Sequence, residues 1–507
     1  MQIDNKATVI CLKDLVVFRS LRIGPVEIKK DKISAVYCLE TRSGEIRTNE
    51  LIYHYGEEVF TPGEPADINL ASMIVSQVAL NYGLFCERII FDGLFDHADI
   101  HFLRNMMENT SREIFVMKFL HYNPFLTVSI DNKPGEINRA YTAASIDFMN
   151  TRYKAIDADC RPWETDKEKY CVLSSGGKDS LLTYGILEET GREVHPVFIN
   201  ESGRHWFTSL NAFRYLKIRN QHTAKVWCNS DRIFNWMVRY MPFIRKDFLD
   251  IRSDEYPVRL WTVAVFVFSA LPLLKKRKIG GLLIGNEYDT TDRKICLGIR
   301  HYNGLYDQSR YFDLSLTEYY HQKKWNLSQF SILRSLSELL IVKILGTRYP
   351  HLQENQVSCH AAHPENGCIY PCGKCEKCRR IVSMMLAVDL NPERCGYSEK
   401  QVQDVLVKIQ AHRVNQIESD ARHLYHLLIK KGIVEQSSQL KKLAKSNPPT
   451  LYLRFDYERS LLFEIPSDLR KHILKIYLEY ADGALAKINK NWERIQPVHL
   501  CKSGAPV

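Results

Sequence analysis

The segment best suited to chemistry is SGGKDS at positions 175–180, between an apolar run at 170–173 and a helical pattern that begins at Leu181. Its two adjacent glycines let the backbone turn tightly and approach an anion. The helix would direct its free N–H groups at the same point, and the two serine hydroxyls can donate further hydrogen bonds. We therefore predict that this glycine loop (175–180) binds phosphate.

The charged residues of the glycine loop indicate which ligands could accompany the phosphate. The Asp179 carboxylate would repel a phosphate, so we expect a cation, Mg2+, to accompany the nucleotide. Lys178 either assists with its charge or faces solvent. No Lys-Ser/Thr pair closes the loop, which excludes the G-x-x-x-x-G-K-[ST] type. The catalytic candidates are Asp179, Ser180 and Lys178.

The pattern SGGxDS after a strand resembles the pyrophosphate loop of the N-type ATP pyrophosphatases (PP-loop enzymes), which cleave ATP between its α- and β-phosphates. The resemblance implies the adenine nucleotide α-hydrolase-like fold of that family and an enzyme that releases AMP and pyrophosphate. The residues assigned to ATP are Ser174, Ser175, Gly176, Gly177, Asp179, Ser180, Asn286 and Glu287.

The elements around the glycine loop would position it at the edge of a sheet. A strand at 170–173, a helix at 181–189 and a strand at 194–199 form a βαβ unit, which predicts an α/β fold with a doubly wound parallel sheet. Further strands are predicted at 224–228 and 281–284. Ligands of such sheets lie beyond the carboxyl ends of the strands, so the segments that follow the strands should converge.

Polar residues in those following segments are candidates for binding substrate or metal, with helix caps and turn hydrogen bonds as the alternative. They are Glu201, Arg204, His205, Asn286, Glu287 and Asp289. Arg310 and Arg334 could pair with a substrate carboxylate, or form surface salt bridges instead.

A cysteine-rich segment near residue 370 is the second group with chemical potential. Cys372, Cys375 and Cys378 follow the spacing C-x2-C-x2-C, which lets a tight turn point successive thiolates at one ion. Zinc is the default metal, and an iron–sulfur cluster is the alternative. Four cysteines would close the zinc shell and make the site structural. The candidates for the fourth ligand are Cys359 or Cys368 and, more weakly, His360 or His363.

The glycine loop followed by S-C, a spacer and C-G-x-C-x-x-C-R resembles the 7-cyano-7-deazaguanine synthases of the queuosine pathway, over roughly residues 169–395. The resemblance implies ATP-dependent activation of a carboxylate as an acyl adenylate, which an amine captures to give an amide or nitrile. Synthase-like members associated with antiphage operons couple a deazaguanine carboxylate to a protein amine. The implied partners are therefore a small carboxylic acid and a protein or amine acceptor. The implied zinc ligands are Cys359, Cys372, Cys375 and Cys378.

A second likeness covers more of the chain. The order of an N-terminal module, the GKDS loop, the segments at 309–312 and 330–334, and Ser358-Cys359 is similar to the ATP-dependent epimerases of the glutamate-terminated peptidoglycan precursor. Such an enzyme would activate a carboxylate to acidify the α-proton of a glutamyl residue. A tRNA-modifying PP-loop enzyme and a nonenzymatic zinc module are further alternatives. The segment NEYDTT at 286–291 departs from the substrate segment expected of a deazaguanine synthase.

The composition and the apolar segments do not suggest a membrane-spanning or secreted protein. Apolar residues make up 45% and charged residues 25% of the 507 residues, as in ordinary soluble proteins. The longest apolar stretch, 260–274, is too short to span a bilayer and predicts a buried helix. No secretion signal begins the chain, so we expect a cytoplasmic protein whose 14 cysteines serve as thiols and metal ligands. The net charge of +10 is scattered, which leaves a nucleic-acid role open.

The patterns divide the chain into four predicted domains. They are an N-terminal α+β module (1–155), a PP-loop domain (165–350), a zinc-binding segment (351–396) and a helical C-terminal region (397–507). Within the first, strands are predicted at 7–11, 35–41 and 45–53, and a helix at 68–82. Within the last, helices are predicted at 401–415, at 419–431 and from Ser467 onward. The oligomeric state is not predicted.

Overall fold

The computed structural model describes residues 8–130, 138–149, 151, 162–203, 205–251, 253, 255–410, 414, 416, 418–435 and 438–496. The described strands are β1 (Thr8–Ile10), β2 (Phe18–Lys29), β3 (Lys32–Thr41), β4 (Ile46–Tyr55), β5 (Cys86–Asp92), β6 (Val128–Ile130), β7 (Ser145–Met149), β8 (Asp166–Ser174), β9 (Glu193–Asn200), β10 (Ala224–Cys228), β11 (Ile279–Leu283), β12 (Lys294–Cys296), β13 (Ile299–His301), β14 (Ser328–Phe330), β15 (His363–Glu365), β16 (Cys368–Tyr370), β17 (Leu453–Phe455), β18 (Ala484–Ile488) and β19 (Asn491–Ile495).

The described α-helices are α1 (Pro65–Ser76), α2 (His97–Ile114), α3 (Lys178–Glu189), α4 (His205–Arg219), α5 (Ser230–Val238), α6 (Val263–Arg277), α7 (Arg310–Gln322), α8 (Glu338–Arg348), α9 (Pro350–Gln353), α10 (Glu376–Ala387), α11 (Glu399–Ile409), α12 (Glu418–Lys430), α13 (Ser438–Leu443) and α14 (Ser467–Leu478). Shorter helical turns lie at Leu12–Leu15, Gln77–Tyr82, Phe115–Leu120, Tyr288–Thr291, Tyr306–Gln308, Pro392–Cys395, Pro448–Leu451 and Leu462–Glu464.

The fold is α/β, as predicted, and is built on a ten-stranded mixed sheet with the order β14-β11-β8-β9-β10-β4-β3-β2-β5-β7. The five strands from β14 to β10 are parallel. Strands β4, β3 and β2 form an antiparallel meander, and β4 pairs with β10 through Tyr55 and Val226. This pairing covers the backbone edge that β10 would otherwise expose. Strands β2, β3, β4, β5 and β7 of the N-terminal 150 residues therefore extend the same sheet, whereas β1 and β6 pair in a separate one. The four domain boundaries stay a prediction.

Both faces of the parallel strands are covered. Successive residues of β8 point to opposite sides, with Cys171 in the core beneath α6 and Val172 in the core beneath α3 and α8. This is why these strands are continuous apolar runs. The predicted buried helix at 260–274 is α6, which lies against β8, β9 and β11. Among the described helices, none combines the length and the apolar character that a membrane crossing requires.

The smaller elements agree with the predictions except near the C-terminus. The predicted strands at 7–11, 35–41 and 45–53 are β1, β3 and β4, and the helix at 68–82 is α1 with the turn that follows it. The region after 397 is not wholly helical, because β17, β18 and β19 form a three-stranded sheet there. These strands are short, so their sequence carried little periodic signal. The end of the predicted helix at 401–415 lies outside the described residues.

Candidate functional site

The glycine loop connects the end of β8 to the start of α3. Gly176 has φ of +71°, and a Cβ there would lie 3.0 Å from the Cα of Ser209 on α4, so only glycine fits. The Ser174 hydroxyl donates to the Ser180 hydroxyl over 3.1 Å and accepts from the Gly176 N–H over 3.2 Å. These bonds tie the two ends of the loop together and hold its N–H groups in place.

The segments after three strands meet at one cavity of about 440 Å³. A Cβ on Gly285, which follows β11, would lie 2.7 Å from the Asp179 Cβ, so the two segments touch. Of the predicted residues, the cavity brings together Ser174, Ser175, Gly177, Lys178, Asp179, Ser180, Glu201, His205 and Asn286. Its volume lies in the range of small-molecule sites.

Lys178 is buried beneath the glycine loop, so the solvent-facing alternative is wrong. Its Nζ lies 2.7 Å from Oδ1 of Asp179, 2.8 Å from Oε2 of Glu287 and 3.1 Å from Oε1 of Glu338. Glu338, the first residue of α8, is in turn 3.5 Å from Nη1 of Arg380 on α10. One buried ammonium group thus organises three carboxylates at the base of the cavity.

The carboxylates around Lys178 respond differently to burial. Burial and the Asp179 carboxylate raise the pKa of Glu287 well above its usual range. Burial and Glu338 raise the pKa of Asp289 to about 6. Burial opposes ionisation of Glu338 too, but Arg380 and Lys178 hold its pKa at about 2. The cluster therefore has more acidic than basic groups.

The four cysteines implied by the synthase resemblance lie together. The sulfur atoms of Cys359 and Cys375, and those of Cys372 and Cys378, are 3.9 Å apart, and Cys375 is 3.4 Å from Cys378. A tetrahedral zinc site with Zn–S bonds near 2.3 Å requires sulfurs separated by about 3.8 Å. Backbone N–H groups of Ala361 and Cys372 donate to the Cys359 sulfur. This cluster can hold a metal ion such as zinc.

Local structure selects these four sulfurs over the other candidates. Gly373 has φ of +66°, which turns the chain between the second and third ligands, and Cys375 caps the start of α10. Cys368 lies on β16 with an exposed side chain, and His363 is about half exposed on β15. Neither residue, nor His360, belongs to the group of close ligand atoms. Cys359 is therefore the fourth member.

The cysteine segment also forms one wall of the cavity. Ser358, Cys359, Lys377, Arg380 and Ile381 line it together with the glycine loop. Sequence reasoning missed Glu338, Lys377 and Arg380. The signal for the two basic residues was available, because they lie within five residues after Cys375 in the first turns of a helix that the cysteines anchor.

A second group of close metal-ligand atoms lies on β9 and the turn before β10. It comprises Glu193, His195 and His222. The Lys169 ammonium is 3.1 Å from Glu193, and the Arg277 guanidinium is 3.4 Å from Nδ1 of His195. Two cations in contact with the ligand atoms disfavour a metal ion. We therefore interpret this group as an ion-pair cluster.

The remaining candidates fall into three groups. Glu201 and His205 line the cavity, and His205 contacts the Tyr256 hydroxyl through its Nε2. Burial lowers the pKa of His205 to about 3, so its ring is neutral. Arg310 and Arg334 do not line the cavity, because they pair with Glu464 and Asp313 respectively. Arg204 lies outside the described residues.

A scan against models of known protein families finds no match to the chain, and a search of curated proteins finds no significant match either. The function is therefore inferred from the sequence motifs and from the geometry of the cavity.

Proposed function

We propose that the protein is a PP-loop enzyme with a doubly wound nucleotide domain, which activates a carboxylic acid with ATP. The acid becomes an acyl adenylate, and an amine captures it to give an amide or nitrile, as in the deazaguanine synthases. The observation that carries the proposal is one cavity lined both by the glycine loop and by the half-buried Lys377 and Arg380 of the cysteine segment.

The glycine loop supplies the groups that a pyrophosphate requires. The start of α3 directs free N–H groups at the cavity, and Ser175, Gly177 and Ser180 line it. The amide nitrogen of Asn286 is buried without a hydrogen-bond partner among the described residues, and Asn286 lines the same cavity. A buried donor left open in this way suits an oxygen of the nucleotide.

The charge of the Lys178 cluster fits one divalent cation. The cluster lacks positive charge, since burial and Asp179 raise the pKa of Glu287 well above its usual range, and burial and Glu338 raise that of Asp289 to about 6; a divalent cation would favour the ionised form of both. Asp179 and Glu287 would hold Mg2+, because Asp179 faces the cavity and Glu287 shares Lys178 with it. The ion would neutralise charge on the leaving pyrophosphate.

The rest of the cavity suits the acid and its adenylate. Lys377 and Arg380 add positive charge to the cavity wall, where they would orient the substrate carboxylate toward the α-phosphate. Apolar side chains of Val263, Phe266 and Ile284 complete the walls and would exclude water from the adenylate. The cysteine centre has no open ligand position, so its role is to fix α10 and its two cations.

The test is exchange of labelled pyrophosphate into ATP in the presence of Mg2+ and a panel of acids, beginning with a deazaguanine carboxylate. We expect exchange with one acid, and AMP with pyrophosphate as products of turnover when an amine is added. Formation of ADP and phosphate would contradict the proposal. Turnover without amine, with deuterium entering the α-carbon of a terminal glutamate, would favour the epimerase alternative.

A further inference from the structure

Glu201, the residue that follows β9, contributes a carboxyl group to the cavity wall. Its side chain is only 2% exposed, yet it lines the cavity. Its Oε2 has no hydrogen-bond partner among the described residues. Ser174 of β8 pairs with Phe198 of β9, so Glu201 emerges at the same edge of the sheet, about one strand spacing of 4.8 Å from the loop's strand.

The surroundings of Glu201 are polar but do not satisfy it. Arg259 is 4% exposed and lies over the rings of Tyr256 and Phe234, at 3.8 Å and 4.5 Å from their centres. Its Nη2 pairs with Oδ1 of Asp231 over 2.9 Å. Two carboxylates thus face one guanidinium, whose Nη2 is paired with Asp231 and whose Nε and Nη1 have no hydrogen-bond partner among the described residues. An acceptor left open beside surplus negative charge suits a ligand that carries N–H donors.

We propose that the Glu201 end of the cavity is the subsite for the nitrogen nucleophile, and that Glu201 accepts its proton. The inference rests on the proposed function, since it assumes an acyl adenylate in the same cavity. The amine nitrogen attacks the acyl carbon with its lone pair, and the bond from that carbon to the phosphate oxygen breaks. AMP leaves with the electron pair of that bond. The nitrogen gives one proton to the Glu201 carboxylate, which releases it to water.

The environment of Glu201 suits a base that works near neutral pH. Burial raises its pKa to about 7, Arg259 opposes the rise, and Asp231 adds to it. Tyr256 and Cys228 also face the carboxyl group. A carboxyl group is ionised above its pKa, so at a fixed concentration of free ammonia amine transfer should increase as pH rises through about 7 and then level off. Burial opposes the charge of Arg259, but Tyr256, Glu201 and Asp231 raise its pKa, so this guanidinium stays charged over the same range.

The first experiment separates the two half-reactions in Glu201→Gln. With the acid that supports exchange, we expect pyrophosphate exchange to fall by less than about threefold, whereas amide formation from ammonium chloride falls by about 100-fold or more. Hydroxylamine, which needs little help from a base, should still trap the adenylate. Glu201→Asp should recover part of the amide formation and keep the pH dependence. Equal loss of exchange and amide formation, or no loss of either, would overturn the proposal.

The second experiment needs no substrate and no variant. Folded wild-type protein is treated at pH 6 with a carbodiimide and ammonium chloride, and modified carboxyl groups are located by mass spectrometry. We expect conversion of Glu201 to glutamine, because a protonated carboxyl group in the cavity reacts and ammonia can reach it. Exposed Glu399 is the positive control. Modification of Glu399 without Glu201 overturns the subsite, whereas labelled Glu201 in a protein without exchange activity contradicts the proposed function alone.

Discussion

Two buried lysines occupy contrasting places in this molecule. Lys323, at the end of α7, lies 2.9 Å from Oδ1 of Asn69 and 3.1 Å from Oδ1 of Asp99, and also contacts Asp96. The Tyr319 hydroxyl donates to Asp99 over 2.7 Å. Lys178 is equally buried, but it and its partner Asp179 line the cavity.

The difference bears on which cluster could bind a ligand. The Lys323 cluster joins α1, α2 and α7 by hydrogen bonds and ion pairs within the protein. The Lys178 cluster also joins distant segments, but Lys178 and Asp179 line a space that the proposed cation and nucleotide would fill. Buried ion pairs alone are therefore weak evidence for function, and it is the cluster beside a cavity that points to it.

The largest effect should follow from removing one sulfur of the four-cysteine cluster. Cys375→Ser is expected to lose the metal, because a closed thiolate site contributes about 10 kcal/mol or more of binding free energy to folding. The cysteine segment should unfold and activity should disappear with it. Metal analysis should find about one zinc per chain in wild type and almost none in the variant. Cys368→Ser, outside the cluster, is the matched control, and full activity in metal-free folded protein would contradict the prediction.

The two lysines can be compared directly by substitution with methionine. Removing either ammonium leaves buried carboxylates unpaired, which costs about 3–5 kcal/mol of unfolding free energy. We expect Mg2+ to recover part of that loss in Lys178→Met, because the cation binds the folded cluster only. It should recover none in Lys323→Met. Urea unfolding with and without Mg2+ measures the unfolding free energy of both variants. An equal response of the two variants to Mg2+ would contradict the proposed difference between the two clusters.

Asp179→Ala tests the function of the Lys178 cluster with little effect on the stability of the protein. The side chain is 29% exposed, so we expect a change in unfolding free energy of about 1 kcal/mol or less. ATP cleavage should fall by about 100-fold or more, since a charged group beside the leaving pyrophosphate is lost. Asp404→Ala, an exposed aspartate on α11, is the control. Retention of pyrophosphate exchange in Asp179→Ala would exclude the proposed role.

The smallest effect concerns how the Lys323 cluster makes the unfolding free energy depend on pH. Burial raises the pKa of Asp99 to about 6, with Lys323 opposing and Asp96 adding to the rise. Because this value exceeds the unfolded value, the folded protein gains stability below about pH 4 and loses it as pH rises through 6. Relative to Asp99→Asn, wild type should lose about 2 kcal/mol between pH 4 and 7. Urea unfolding at several pH values measures this.

For Glu338 of the Lys178 cluster, the contribution to stability depends on pH in the opposite direction. Its pKa of about 2 lies below the unfolded value, so its contribution is present above about pH 4.5 and is lost as pH falls through 2. In Glu338→Gln the stability difference from wild type should therefore shrink in acid, whereas in Asp99→Asn it should change near pH 6. The same trend in both variants would contradict the assigned pKa directions.

Several features were predictable because their signals are local. The glycine loop, the βαβ unit and the apolar segment of α6 follow from residue spacing within about 20 positions. The C-x2-C-x2-C spacing predicted three metal ligands in the same way. The choice of Cys359 over Cys368 came from the synthase resemblance, and the structure agrees because the hairpin of β15 and β16 directs Cys368 to the surface.

The sequence by itself determined the phosphate-binding pattern, the α/β class and the metal-capable cysteines, since each depends on neighbours along the chain. Only the tertiary structure decided that Lys178 is buried, that Oε2 of Glu201 has no hydrogen-bond partner among the described residues, and that β2, β3, β4, β5 and β7 extend the sheet of the parallel strands. Those outcomes depend on contacts between residues more than 100 positions apart, such as Lys178 with Glu287 and Glu338. Spacing along the chain carries no record of such contacts, because packing and desolvation set them.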